Sequence, residues 1–313
     1  MSCAQSKRYT LAMRKRPKSP IQPSLFEIGK PEAVTELTAG AEVDRPYNHT
    51  NLLLGTSAFT ASGWSGSFYP AGMKSQDYLP YYASKFKTVE IDSTYYGAPA
   101  ASTVESWYSK TPPDFIFTAK VPQVITHEKM LLDCDAEFGE FRDRMGILNQ
   151  KLGPLLLQFP RFDKYEFATG ADFVGRLRTF LKGQSERVRL VVEIRNPDWV
   201  DQRFLDALRE RNVALALTDT SFMPRPWELK HSPDLITADF AYVRWLGNRK
   251  QIETITTTWD KTIVDRTGDL THWVALFRQF VARNLKVFAY ANNHYAGNGP
   301  GTIRNFWALW NQR

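Results

Sequence analysis

From residue 51 onward, short apolar runs at strand length alternate with longer stretches whose apolar positions recur at helical spacing. The runs occupy residues 52–59, 88–92, 115–120, 154–159, 188–195, 213–219, 241–245 and 286–292. Between them, 200–212 reads as a helix, as does 270–284, where Leu270, Trp273, Val274, Phe277 and Val281 fall on one face. Eight strands alternating with helical segments predict a parallel sheet closed on itself, an α/β fold of the (β/α)₈ TIM type. Such barrels need about 250 residues, so the 313-residue chain holds one barrel, over 51–313, and an extension over 1–50.

The extension breaks the pattern. Pro17, Pro20, Pro23 and Pro31 interrupt any helical period, and Ser, Lys and Arg dominate. It reads as a disordered or loosely docked basic tail. An acid-free N-terminus with Ser and Arg also suits an organelle transit peptide, against which the prolines weigh. Formal charge is +7, but Lys7, Arg8, Arg14, Lys15, Arg16 and Lys18 supply six of those charges before residue 20, so the barrel itself is nearly neutral. Hydrophobic residues make up 43% of the chain, enough for a sizeable core, and no apolar run is long enough to span a bilayer. With Cys3 and Cys134 the only cysteines, neither a disulfide framework nor a Cys-rich zinc site is expected. A cytoplasmic protein without a membrane partner is the expectation.

Candidate chemistry follows from strand parity. Residues two apart share a face, and inward residues at C-terminal strand ends line a barrel's mouth. By this rule Glu90 pairs with Asp92, Lys120 with Thr118, Glu193 with Arg195, and Tyr290 with Asn292, while Ser57, Gln158, Asp219 and Arg244 end other strands. Carboxylates mixed with cations can hold an anionic ligand and leave a desolvated carboxyl as general acid or base. Glu90, Lys120, Glu193 and Asp219 are the catalytic candidates; a self-neutralising ion network is the structural alternative. A metal could use Glu90, Glu193, Asp219 and His294, but no ligand spacing supports it, and no stably held metal is expected. The strands precede no G-x-G-x-x-G or Walker loop, so no cofactor is expected either. His127 follows the third strand within reach of the mouth. In the loop with Phe59, Phe68 and Tyr69, Trp64 lies between Gly63 and Gly66 and is the better candidate to stack on a ligand ring.

The ordered blocks Gly55-Thr56-Ser57 with Trp64 and Phe68-Tyr69-Pro70, Val89-Glu90-Ile91-Asp92-Ser93-Thr94-Tyr95-Tyr96, Phe115-x-Phe117-x-x-Lys120 with Thr126-His127, Leu155 to Pro160, Glu193-Ile194-Arg195-Asn196-Pro197-x-Trp199, Tyr242-x-Arg244 with Gly247, and Asn292-Asn293 span nearly all of 51–313. In these the chain resembles the YecE-like family, also called domain of unknown function 72. The resemblance implies a TIM-type barrel and no particular reaction. Leu246 stands where many relatives carry His.

Three functional readings remain open. One is an enzyme, hydrolysis being the class considered, acting on a phosphate-containing substrate or nucleic acid; a distant likeness to endonuclease-type barrels points the same way. Another is a non-catalytic nucleic-acid-associated protein. The last is a sugar or sugar-phosphate enzyme using Glu90 and Glu193. In the tail, Gln22, Leu25 and Phe26 form a Q-x-x-L-F pattern resembling peptides that dock on the bacterial sliding clamp, with a hydrophobic tether to the barrel as the alternative.

Overall fold

A computed structural model describes residues 45–185, 187–229 and 234–312. The Gln22 to Phe26 docking pattern lies outside the described residues. All eight expected strands form: β1 (Leu52–Thr56), β2 (Thr88–Ile91), β3 (Ile116–Lys120), β4 (Leu152–Gln158), β5 (Leu190–Glu193), β6 (Ala214–Thr220), β7 (Phe240–Gly247) and β8 (Lys286–Ala291). Each pairs in parallel with its neighbour, in the order β1-β8-β7-β6-β5-β4-β3-β2. Helices α1 (Tyr78–Lys85), α2 (Ala101–Ser109), α3 (Asp135–Gly146), α4 (Gly170–Lys182), α5 (Gln202–Arg209), α6 (Arg249–Glu253), α7 (Thr267–Ala282), α8 (Asn293–Ala296) and α9 (Gly299–Trp310) complete a TIM-type fold.

Local chemistry accounts for the helix starts. Thr169 and Asp172 form a reciprocal capping box on α4, and the Asp201 carboxylate accepts the Phe204 N–H at the start of α5. On α7 the buried face is Leu270, Trp273, Val274, Phe277 and Phe280, with Val281 only half-buried. Between β6 and β7 the described residues contain no α-helix, only the 3₁₀ turn Pro226–Glu228, where Pro224 and Pro226 oppose helix continuation.

The ladder has a seam between β1 and β2, and a phenol bridges it. The Thr56 N–H donates to Tyr82 Oη at 2.8 Å, and that hydroxyl lies 3.2 Å from Thr88 O on β2. The strands approach so closely here that a Cβ on Gly55 would lie 2.1 Å from Thr88 O.

Side chains inside the barrel change character from bottom to top. Leu53, Leu156, Val191, Phe240 and Phe288 form an apolar floor. Above it, Thr88 Oγ1 meets Tyr290 Oη at 2.7 Å and Thr118 Oγ1 meets Tyr242 Oη at 3.1 Å. The charged residues come next. A second, larger apolar cluster lies between strands and helices. Residues 45–50, grouped with the tail on composition, lie against the barrel: Arg45 bonds Asp114 through both terminal nitrogens at 2.6 and 3.0 Å, and Tyr47 stacks on Phe86. Among the described residues no helix is long and apolar enough to cross a membrane.

Candidate functional site

Strand β7 presents Tyr242 and then Arg244 to the lumen, because residues two apart share a face. Arg244 is buried and gathers three carboxylates. Its Nε and Nη2 donate to Glu90 Oε1 at 3.1 and 2.7 Å, Nη1 to Glu193 Oε2 at 2.5 Å, and Nη2 to Asp92 Oδ1 at 3.1 Å. Tyr242 Oη donates to the other oxygen of Glu90 at 2.6 Å. A lone guanidinium at this depth would be costly, and these charge-assisted bonds are what make its burial tolerable.

The two glutamates, 0% and 1% exposed, are driven in opposite directions. Burial raises the Glu90 pKa above the usual carboxylate range, Arg244 opposes this, and neighbouring Asp92 adds to it. For Glu193 burial also acts upward, but Arg244 and Arg195 outweigh it and hold the carboxyl below its ordinary value. Glu90 is therefore the carboxyl of the pair that more readily takes a proton.

Above this network stand the residues that solvent reaches. The Asp92 and Arg195 side chains retain 35% and 32% of their exposure. Arg195 makes one hydrogen bond among the described residues, from Nε to Glu193 Oε1 at 3.3 Å, and its guanidinium lies 5.2 Å from the Phe222 ring centre. The Lys120 ammonium makes no ion pair or hydrogen bond among the described residues and stands 4.2 Å from the centre of the Tyr95 ring. Burial pushes the Lys120 pKa down, with Asp92 opposing and Arg244 reinforcing that shift. His127 lies in a π-helical turn, Val124–Glu128, with Nδ1 2.8 Å from Thr126 Oγ1 and its ring against Tyr95. Burial and the charges of Lys120 and Arg195 push its pKa down to about 4.

On the opposite side of the mouth, Asn292 Nδ2 donates to Ser57 Oγ at 2.8 Å. Asn292 Oδ1 faces His294 Nδ1 at 2.6 Å, and His294 Nε2 faces Glu253 Oε1 at 3.1 Å. Gly247 closes this corner: its backbone is left-handed at φ 68°, and a Cβ there would lie 2.4 Å from His294 O.

Glu90, Asp92, Lys120, Glu193, Arg195 and Arg244 thus surround one region, with His127 beside it. Asp219 is elsewhere and corrects the sequence expectation. It shares parity with Leu215 and Leu217, which face the helices, and its carboxylate accepts from Trp273 Nε1 and Tyr295 Oη, both at 2.9 Å, and from Arg225 Nε at 3.0 Å. A metal set joining Asp219 to Glu90 and Glu193 is excluded by that orientation. Trp64 is also corrected: at 1% exposure it cannot stack on a ligand, and its Nε1 donates to Asn293 Oδ1 at 3.2 Å. Asn293 Oδ1 further accepts the Gly299 N–H at 2.8 Å, so this amide is occupied in holding the loops together. Tyr290 lies buried beneath the charged residues, and Gln158, also buried, gives its amide N–H to Phe159 O.

Tyr242 was legible in principle, since it stands two before Arg244, but its apolar ring reads as core. Tyr95, Phe222 and Glu253 come from loops and a short helix, where periodicity carries no signal.

Residues 53–313 match the family model described as "Protein of unknown function DUF72". The UPF0759 protein YecE of Escherichia coli (strain K12) is 30% identical over 147 residues, 45% of this chain and 52% of that protein. The UPF0759 protein YunF of Bacillus subtilis (strain 168) is 30% identical over 153 residues, covering 46% and 52%. The chain spans about half the length of the curated relatives it matches. Among solved structures, a DUF72 family protein from Thermotoga maritima superposes with a TM-score of 0.63 at 25% identity, covering 82% of this chain and 97% of that one. One from Enterococcus faecalis V583 gives 0.60 at 20% identity, covering 84% and 96%. With a match running from β1 to the C-terminal helix, the chain belongs to the DUF72 family.

Proposed function

We propose that the barrel is an acid–base enzyme acting on a substrate that carries phosphate or a similar compact anion. The observation that carries this reading is the division of labour among the cations. Arg244 takes all three carboxylates, whereas Lys120 has no acidic partner among the described residues and Arg195 makes a single hydrogen bond. The Arg244 hydrogen bonds hold Glu90, Asp92 and Glu193 in place, and Lys120 and Arg195 keep donors to offer an anion. Asp92 is the carboxylate a substrate can reach, and Glu90, behind it on the same guanidinium, has the raised proton affinity suited to exchange a proton through the network. Glu193 stays charged and fixes Arg195 and Arg244.

Two alternatives are less well supported. Sugar cleavage by Glu90 and Glu193 needs both carboxyl groups flanking the scissile bond, but both are buried and held by Arg244. A long polyanion is disfavoured because the loops on this face carry more Asp and Glu than Lys and Arg among the described residues.

The test is calorimetric titration with inorganic phosphate. A charge-assisted hydrogen bond contributes about 1.5–3 kcal/mol, so Lys120→Met and Arg195→Met should each weaken phosphate binding by roughly ten- to a hundredfold, with the folded state of each variant checked by its melting temperature. Phosphate binding that is absent in the unaltered protein, or unchanged in both variants, would defeat the proposal.

A further inference from the structure

Tyr96, Leu132, Tyr165, Phe222 and Ile255 are the large apolar side chains exposed among the described residues, and every one lies in a segment that follows a strand. The apolar exposure is therefore confined to the end of the barrel that bears Lys120 and Arg195. They stand singly on five separate loops, so what distinguishes Tyr96 and Phe222 is their place beside the two cations.

Two of them stand near the two anion-seeking cations, Phe222 in contact with Arg195 and Tyr96 one ring removed from Lys120. Lys120 stands under Tyr95, whose ring centre is 5.3 Å from that of Tyr96, and Tyr96 is 80% exposed. Arg195 stands against Phe222, which is 42% exposed. The first pair belongs to β2 and β3 and the second to β5 and β6, so the two exposed rings sit apart around the mouth with both cations between them in the strand order.

We infer that the ligand is a short single-stranded oligonucleotide, with one phosphodiester held by Lys120 and Arg195 and a base stacked on each of Tyr96 and Phe222. This rests on the anion reading above and names its substrate class. A phosphodiester between two flat, apolar faces reproduces the sequence ring, cation, cation, ring; a sugar phosphate supplies the anion but no flat faces. The excess of carboxylates on the surrounding loops selects against long or double-stranded polyanions, which need many phosphate contacts, and is tolerated by a ligand with one charge.

The experiment is equilibrium titration of the full chain with inorganic phosphate, thymidine 5′-monophosphate, the dinucleotide TpT and glucose 6-phosphate, repeated on Tyr96→Ala and Phe222→Ala. Both substitutions fall on exposed side chains and should leave folding intact, checked by melting temperature. The inference expects TpT to bind more tightly than thymidine 5′-monophosphate, and glucose 6-phosphate to bind no more tightly than inorganic phosphate. Each variant should lose roughly tenfold in TpT affinity with inorganic phosphate unaffected. If TpT and glucose 6-phosphate bind equally, or both variants retain full TpT affinity, the nucleotide assignment is overturned while the anion site stands. If the unaltered protein binds none of the four, both readings fall together.

Discussion

Arg244 and Lys120 illustrate how similar charges reach opposite states inside one barrel. Arg244 presents a planar fork of donors that three carboxylates can share, whereas the ammonium of Lys120 rests on an aromatic face. Replacing Arg244 by Met would strand Glu90 and Glu193, an effect on the order of 3–5 kcal/mol at neutral pH. Stranded buried carboxyls have folded-state pKa values above their unfolded ones, so they favour the fold at low pH and lose that contribution as pH rises. Denaturant unfolding of Arg244→Met should therefore show part of the loss recovered near pH 5; a loss independent of pH would contradict this account. His127 carries the opposite linkage. Its folded pKa of about 4 lies below the ordinary 6.5, so the unfolded chain binds the proton first, and His127 subtracts stability as pH falls from 6.5 toward 4. By NMR its ring should stay neutral from pH 8 to pH 5, and Lys120→Met should move its midpoint upward. A midpoint near 6.5 in the unaltered protein would show that His127 does not face Lys120 and Arg195.

Strands were the legible elements, and their parity placed the charged residues of β2, β3, β5 and β7 in one lumen. Asp219 escaped because β6 alternates Ala with Leu. Both types are apolar, and only their size shows that Leu215 and Leu217 face the helices and carry Asp219 with them. Trp64 escaped for another reason: flanking glycines suggested exposure, yet its loop folds over the barrel and buries the indole against Phe68. The β1–β2 seam had no sequence signal at all, since Tyr82 lies on α1 and reads simply as part of its apolar face. Tyr82→Phe removes the hydroxyl that serves the Thr56 N–H in a buried setting, which costs about 1–3 kcal/mol. Hydrogen exchange at the Thr56 amide should accelerate along with the drop in stability. Unchanged exchange there would mean that β1 and β2 are held by packing alone.

For the whole molecule, the periodicity of eight strands was sufficient to specify a barrel, while the loops that complete its mouth were not readable. The segment from β6 to β7 departs from helical alternation, and Asp219 secures it through Arg225 to the β6 wall, bringing Phe222 beside Arg195. The tail contributes a separate, testable proposal: a peptide of residues 18–30 should bind a bacterial sliding clamp, and its Leu25→Ala, Phe26→Ala form should not. Equal or undetectable binding by both peptides would remove clamp docking from the account. The central claim, that Lys120 and Arg195 jointly hold an anion at the C-terminal mouth, is tested most directly by a crystal structure of the protein soaked in inorganic phosphate at a concentration that saturates binding in solution. The account predicts phosphate within hydrogen-bond distance of both Lys120 Nζ and the Arg195 guanidinium, with Arg244 still bound to Glu90 and Glu193. Phosphate found only at other surfaces, with Lys120 still lying on Tyr95 alone, would contradict it.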